Sequence, residues 1–150
     1  MTQYYIFVTD GKVNGYGCCQ CIAKDTINVE ATEEMCQNIS TYGNYYYIYE
    51  NDELIVNPNY EQEHVQKEAE RIGNLTMTAL DFITFLRQCG LTLEQIRAYL
   101  DNNLELDTQL TYCQNVYCKV ACSVMPITVG NITITAEMVI QAFKIKNGEV

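Results

Sequence analysis

The hydrophobic pattern of the chain changes period at the tripeptide Asn57-Pro58-Asn59. Before it, short runs of aromatic and β-branched residues alternate with turn residues, which is the pattern of β-strands. After it, apolar residues recur three or four positions apart between capping residues, which indicates amphipathic helices. The sequence therefore predicts an α+β protein: a small N-terminal antiparallel β module followed by a linking helix and a C-terminal helical bundle with a short β-hairpin.

The β module is predicted to cover residues 1–58. It contains two hairpins with a short helix between them, and Pro58 ends the second hairpin because proline cannot donate to a strand ladder. The first return strand is predicted to continue through the glycines and cysteines of Gly15–Cys21. The defining residues are Tyr4–Val8 with a turn at Asp10-Gly11, Thr32 as the helix cap, and Tyr45–Tyr49 with Leu54–Val56 about a turn at Asn51-Asp52.

A polar linking helix is predicted over residues 59–73. Its sequence, NYEQEHVQKEAERI, has apolar residues only at Tyr60, Val65, Ala69 and Ile72, and Gly73 ends it. These positions form one thin stripe at helical spacing, so we expect a helix with one narrow buried face.

Residues 74–150 are predicted to form a helical domain of about four helices. The longest helix is expected over Glu105–Val124, because its apolar residues follow steps of four and three, and Pro126 closes it. The stretch ITVGNITI predicts a hairpin about Gly130-Asn131. The residues placed to cap the other helices are Thr78, Thr92 and Thr135.

The charge of the chain limits its partners. The 150 residues carry a formal net charge of −10, and residues 1–58 account for −6 of it, with eight acidic and two basic side chains. Phosphate binding needs clustered Lys and Arg, so we expect no nucleic-acid partner. An acidic surface suits a basic partner or mimicry of a nucleic-acid backbone, and solubility alone is the alternative explanation.

The N-terminus lacks the basic and apolar regions of a signal peptide, and no apolar run approaches the length of a membrane span. We therefore expect no secretion through a signal peptide and no membrane partner.

The eight cysteines raise the question of a metal or redox site. Three of them fall within Gly15–Cys21, but strand geometry would divide these three between two faces. Zinc sites usually take thiolates from C-x2-C pairs, which the chain lacks. Cys118 and Cys122, one helical turn apart, are the best-spaced pair. We expect the thiols to pack as small apolar side chains, with no metal or cofactor bound; a zinc-bound domain is the alternative.

No sequence pattern indicates catalysis. The chain has no GxxxxGK[ST], GxGxxG or HExxH motif, and its one histidine, His64, lies among glutamates where we expect it to be solvated. Asp81–Leu100 has the outline of a helix–turn–helix, but its second helix offers only Gln95 and Arg97 for reading DNA. We expect a packing αα-hairpin there, no catalytic residue and no enzymatic activity.

The tyrosine-rich strand YYYIY is the best candidate for a contact surface. Tyr45, Tyr47 and Tyr49 alternate to one face of a strand, and the residues between them point to the other face. One face can cover a core while the other leaves amphipathic rings exposed, as is typical of contact surfaces. We predict that Tyr45, Tyr47, Tyr49 and Tyr60 contact a partner; the alternative is that these rings only cover a thin sheet.

The stretch NPNYEQEHVQKEAERIGNLTMTALDFITFL resembles a loose group of small proteins encoded in phage and prophage tail regions. Those proteins pair a short β-rich segment, ending in a tyrosine-rich strand and Asn-Pro, with a polar helix and a helical tail. The junction here is Lys67–Thr78, and the likeness spans roughly Tyr42 to Glu149. The resemblance implies a setting, a phage tail or baseplate accessory or a protein encoded beside those genes, and assigns no chemistry to any residue.

Two functions are consistent with these observations. The first is a non-enzymatic bacteriophage tail- or baseplate-associated structural or assembly protein, located in the virion or the host cytoplasm. It would bind other phage structural proteins or a host protein, and self-association into a homo-oligomer is compatible with it. The second, motivated by the net charge of −10, is an acidic phage-encoded inhibitor of a host defence protein, anti-CRISPR-like or otherwise anti-defence.

Overall fold

Seven α-helices and nine short strands form within residues 1–149, the part of the chain that the computed structural model describes. The helices and the small antiparallel sheets confirm the predicted α+β class. The chain divides into two units after Val65, inside a helix. This division lies between the predicted boundaries at residues 58 and 73.

The first unit is built on a three-stranded antiparallel sheet. Its order is β2-β1-β3, so β1 is central, and Ile6 and Val8 of β1 are completely buried. Helix α1 adds Cys36 and Ile39 to the same core. The elements are β1 (Tyr4–Thr9), β2 (Lys12–Gly17), β3 (Thr26–Ala31), α1 (Glu33–Tyr42), a 3-10 turn (Asn44–Tyr46), β4 (Tyr47–Glu50) and β5 (Glu53–Val56).

Both predicted hairpin turns are present. Asp10 and Gly11 have φ values of 52° and 74°, and Asn51 and Asp52 have 51° and 64°. A two-residue turn of the kind that matches strand twist needs positive φ at both central positions, which Gly, Asn and Asp tolerate best. The predicted Thr32 cap also forms, since its side chain accepts a hydrogen bond from the Met35 backbone N–H. Strand β3 was not predicted.

The second unit is mainly helical. Its elements are α2 (Tyr60–Gly73), which begins in the first unit, β6 (Thr76–Thr78), α3 (Ala79–Gln88), α4 (Leu93–Leu100), α5 (Leu104–Tyr112), β7 (Asn115–Tyr117), α6 (Cys118–Ser123), β8 (Ile127–Val129), β9 (Ile132–Ile134) and α7 (Ala136–Lys146). Its core holds the fully buried rings of Phe82 and Phe143, 6.1 Å apart, among aliphatic side chains. Strands β8 and β9 form the predicted hairpin.

The predicted helix caps of this unit are confirmed. The Thr78 side chain accepts from the Asp81 N–H, and the Thr135 side chain accepts from the Met138 N–H. Thr92 and Gln95 form a complete capping box, in which each side chain accepts a hydrogen bond from the other residue's backbone N–H. These contacts satisfy N–H groups that the first turn of a helix leaves without partners.

The prediction of one long helix over Glu105–Val124 was wrong. That segment forms α5, then β7, then α6, because β7 pairs with β6. The pairing satisfies the backbone of residues 115–117 and completely buries Val116, which does not belong to the apolar stripe that suggested the helix.

The linking helix forms as α2, but its predicted buried face is incomplete. Tyr60 is buried and Ile72 is half-buried, whereas Ala69 is exposed and Val65 is 67% exposed. Within residues 1–149, none of the helices combines the length and the hydropathy that a membrane span requires.

Phe143→Ala is expected to lower the free energy of unfolding by about 3–5 kcal/mol, because it leaves a cavity among fully buried side chains. Urea unfolding followed by far-UV circular dichroism measures this. Leu93→Ala is the control in the same unit, since Leu93 is 57% exposed and its truncation should change stability by no more than about 0.5 kcal/mol. Equal losses in the two variants would contradict the described core.

Candidate functional site

The structure does not place the four predicted contact tyrosines on one exposed face. Tyr45 lies in the 3-10 turn rather than in a strand. Tyr47 and Tyr60 are buried, with 7% and 8% of their surfaces exposed, and Tyr49 packs against the core of the first unit. The rings of Tyr47 and Tyr60 are therefore covered by the protein itself, and contact of the four tyrosines with a partner stays a prediction. Of the four, Tyr45 is the one that reaches the surface beside an exposed residue, His64.

The outward face of the β4–β5 hairpin carries isoleucines in place of tyrosines. Ile48 and Ile55 are direct cross-strand partners on the face opposite to Tyr47 and Tyr49, and 40% of Ile55 is exposed. The predicted alternation holds for Tyr47, Ile48 and Tyr49, whereas Tyr45 lies outside the strand, and the sequence had left open which face turns to the core.

Tyr45, Tyr60 and His64 form a stack of three rings. The ring centroids are 5.2 Å apart between Tyr45 and Tyr60 and 5.4 Å apart between Tyr60 and His64. The Tyr45 hydroxyl and His64 Nδ1 are hydrogen-bonded at 2.7 Å. Burial raises the pKa of the Tyr60 phenol, and the neighbouring Tyr45 adds to the shift. His64 is exposed, as expected from the sequence, and its ring is in addition hydrogen-bonded to a phenol.

Asn57 fixes this stack to the hairpin. It is 5% exposed, and its Nδ2 donates to the Tyr45 carbonyl at 3.0 Å and to Glu63 Oε2 at 3.1 Å. Its Oδ1 accepts from the Asn59 N–H at 2.9 Å, and its carbonyl accepts from the Tyr60 N–H at 3.1 Å. A buried amide is stable only when it is hydrogen-bonded. The stack is therefore part of the structural joint between β5 and α2.

The negative charge is concentrated in the first unit. Residues 1–65 contain ten acidic and two basic side chains, a net charge of −8, whereas residues 66–150 contain nine acidic and seven basic side chains, a net charge of −2. The ion pairs Arg71–Glu68, Arg71–Glu149 and Lys146–Asp81 all lie in the second unit. Most of the net negative charge of the chain therefore belongs to the first unit.

The cysteine-rich stretch does not continue the strand as predicted. Strand β2 ends at Gly17, and the exposed Cys18 and Cys19 lie in a bend. Asn28 holds the following loop, because its Oδ1 accepts from the Cys21 N–H at 2.7 Å and its Nδ2 donates to the Cys21 carbonyl at 3.0 Å. The prediction that these thiols pack on both faces of a strand was wrong for Cys18 and Cys19.

The predicted pair Cys118 and Cys122 lies on one face of α6, with Cys118 in the core of the second unit. Cys118 and Cys122 have their Sγ atoms 3.8 Å apart, and burial raises the pKa of the Cys118 thiol to about 12. Burial also raises the pKa of the Cys122 thiol. Metal binding and nucleophilic attack both need the thiolate, which this apolar setting disfavours. Within residues 1–149, no cluster of three or more His, Cys, Asp or Glu side chains has the geometry to hold a metal ion.

The second unit contains an open apolar groove between α3 and α7. Its volume is about 680 Å³, and its apolar lining includes Met77 from β6, Phe85 from α3 and Met138 and Ile145 from α7. Met138 is 41% exposed and Ile145 is 57% exposed. We call this feature the α3–α7 groove. Its lining residues are Met77, Asp81, Thr84, Phe85, Gln88, Glu137, Met138, Gln141, Ala142, Ile145 and Lys146.

Charged groups stand at the two ends of the α3–α7 groove. Lys146 Nζ lies 3.0 Å from Asp81 Oδ1 and joins the end of α7 to the start of α3. That pair and a hydrogen bond from Thr78 lower the pKa of Asp81. Hydrogen bonds from its own backbone N–H and from Thr135 lower the pKa of Glu137. Both carboxyls are therefore ionised at neutral pH.

The α3–α7 groove was missed at the level of sequence. The sequence does carry a signal for it, since Met138, Ala142 and Ile145 form a second apolar stripe on α7, beside the stripe of Val139 and Phe143 that enters the core. Two adjacent stripes make a helix apolar over a wide arc. Here the core covers the stripe of Val139 and Phe143, and the other stripe lines the open groove.

Comparison with known proteins adds no identity. Neither a protein-family model, nor a curated protein, nor a solved structure matches the chain.

The burial of the thiols predicts the order in which iodoacetamide labels them at mildly alkaline pH. The exposed Cys18, Cys19 and Cys113 should be labelled first, and the buried Cys36 and Cys118 last, because alkylation needs an accessible thiolate. Mass spectrometry of peptides from the folded chain resolves the sites. In urea, all eight cysteines should react at similar rates. Early labelling of Cys118 in the folded protein would contradict its position in the core.

Proposed function

We propose that the protein is a non-enzymatic bacteriophage tail- or baseplate-associated protein that acts in structure or assembly through protein–protein contacts. The observation that supports the contact function is the α3–α7 groove, an apolar surface left open by a unit that has its own closed core. Exposed apolar surface of this kind typically marks a protein interaction site. The phage setting rests on the resemblance of residues 57–86 to proteins encoded in tail regions.

The groove is suited to binding because its two walls are regular helices with capped N-termini. Thr78 caps α3, Thr135 caps α7, and the Lys146–Asp81 ion pair ties the two helices together. A surface that is already ordered loses little conformational entropy on association, so more of the free energy of apolar burial contributes to affinity.

The charged groups of the groove are poorly suited to act as general acids. A carboxyl that acts as a general acid needs a raised pKa, whereas the pKa values of Asp81 and Glu137 are lowered. Both carboxyls also serve local structure, Asp81 in an ion pair and Glu137 in the first turn of α7.

This function predicts that the chain is associated with tail proteins. In cells that produce particles of the encoding phage, cross-linking and mass spectrometry should connect the chain to a tail or baseplate protein, during assembly or in the purified virion. Ile145→Glu should reduce these cross-links, because it puts a charge in the α3–α7 groove.

Leu93→Glu is the matched control, since Leu93 has the same 57% exposure as Ile145, lies in the same unit and does not line the groove. A chain that is absent from virions and cross-links to no tail protein would overturn the proposal.

A second candidate, an acidic inhibitor of a host defence protein, is favoured by the charge of the first unit. A net charge of −8 on residues 1–65 gives an electrostatic surface for a basic protein. The negative charge is densest at the tip of the β4–β5 hairpin, where Glu50 and Glu53 are direct cross-strand partners and Asp52 lies in the turn between them.

Salt dependence separates the two candidates. Binding of the chain to a purified basic host nuclease or guide complex should weaken steeply as salt increases, because exposed charges are screened. Glu50→Gln/Glu53→Gln should weaken it further at low salt, while Ile145→Glu should leave it unchanged. Isothermal titration calorimetry at several salt concentrations measures this. Binding that is absent, or equally strong at all salt concentrations, would exclude the inhibitor function.

A further inference from the structure

We propose that the α3–α7 groove binds an amphipathic α-helix of a partner protein, with the apolar face of that helix in the groove and a Lys or Arg side chain next to Glu137. This inference rests on the proposed contact function and deepens it by naming the chemistry of the partner segment.

The walls of the groove have the geometry that receives a helix. Helix α3 contributes residues at positions i, i+3, i+4 and i+7, which form one ridge, and α7 contributes two adjacent ridges. The last turn of α7 adjoins the first turn of α3, because Lys146 pairs with Asp81 there. Ridges of two neighbouring helices leave a groove between them that the ridge of a third helix can fill.

The length of the groove sets the length of the bound segment. The α7 wall extends from Glu137 to Lys146. At about 1.5 Å of rise per residue, these nine steps correspond to about 14 Å, or about two and a half turns. A helix of that length presents three or four apolar side chains at i, i+3, i+4 and i+7. The α3–α7 groove, with a volume of about 680 Å³, has room for these side chains.

The charges of the rim indicate the orientation of the partner. At one end, Lys146 and Asp81 neutralise each other. At the other end, Glu137 is exposed, and it makes no ion pair within residues 1–149. An unpaired carboxylate beside an apolar trough favours a cation on the partner, because apolar contacts around the pair reduce screening by water. Gln88 and Gln141 supply neutral hydrogen-bonding groups along the walls.

Synthetic peptides test this inference without knowledge of the natural partner. The first peptide is an amphipathic helix of about 14 residues with leucines at helical spacing and lysines at one end. The second has the same composition in an order that alternates leucine and polar residues. The third replaces the lysines with glutamates. Fluorescence anisotropy with the full chain measures binding of each labelled peptide.

The first peptide should bind more tightly than the other two. Ile145→Glu and Met138→Glu should each weaken its binding by roughly tenfold or more, because both place a charge inside the apolar contact. Leu93→Glu should leave the binding unchanged, since it adds the same charge to an equally exposed leucine outside the groove. Glu137→Gln should reduce the preference for the lysine peptide over the glutamate peptide.

Far-UV circular dichroism establishes that each variant is folded. Met138 and Ile145 are both partly exposed, so a charge at either position should be compatible with folding, and the two variants test the groove independently. Equal binding of the first two peptides, or equal effects of Ile145→Glu and Leu93→Glu, would overturn the inference. Binding of a small apolar dye in the groove without binding of any helical peptide would also overturn the inference.

The outcome is separate from that of the proposed function. If the peptides fail to bind while the chain still cross-links to tail proteins, the helix-binding inference fails and the proposed function stands. If the first peptide binds as expected and no tail protein is ever cross-linked, the groove binds helices but the tail function fails.

Discussion

The second unit depends on one small interaction, the three-residue ladder between β6 and β7. The ladder pairs Thr76–Thr78 with Asn115–Tyr117, and hydrogen bonds from the Cys118 N–H to the Leu75 carbonyl and from the Ala79 N–H to the Gln114 carbonyl extend it at both ends. Each strand leads directly into a helix, β6 into α3 and β7 into α6. The ladder therefore fixes where two helices begin.

The α3–α7 groove depends on the same strand, β6. Met77 contributes to the lining of the groove, and Thr78 caps the α3 wall. The Asn147 side chain, just after α7, donates to the Thr76 carbonyl at 2.9 Å.

In the first unit, Asn57 has the corresponding role. Its side chain donates to the Tyr45 carbonyl and to Glu63 and accepts from the Asn59 N–H, and its own N–H donates to the Tyr46 carbonyl. The buried amide thereby joins the 3-10 turn, the end of β5 and the first turn of α2. The change of period that divides the sequence at Asn57-Pro58-Asn59 is thus also a physical junction, since the side chain at that point orders the structure on both sides of it.

The parts of the fold that could be predicted from the sequence are those with a local cause. Helix caps at Thr32, Thr78, Thr92 and Thr135 and the two-residue hairpin turns each depend on a few adjacent residues, so their signals are contained in short stretches. The failures have nonlocal causes. The break in the predicted Glu105–Val124 helix requires β6, about 40 positions away in sequence, as a partner. The burial of the tyrosines could not be predicted, nor could the fact that the second apolar stripe of α7 stays open, because both depend on which face of an element finds a neighbour.

The separation of charge and apolar surface between the two units has a consequence for association. The second unit exposes an apolar groove and has a net charge of only −2, which by itself would favour contact between copies of the chain. The first unit adds a net charge of −8, and like charge opposes association of two copies to an extent that falls as salt increases. The repulsion is absent against a neutral or basic partner, and the groove then remains available. The like charges of Glu50 and Glu53, which face each other across a hairpin, cost stability within the unit. Binding of a basic partner, as in the second proposed function, would offset this cost by neutralising both carboxylates.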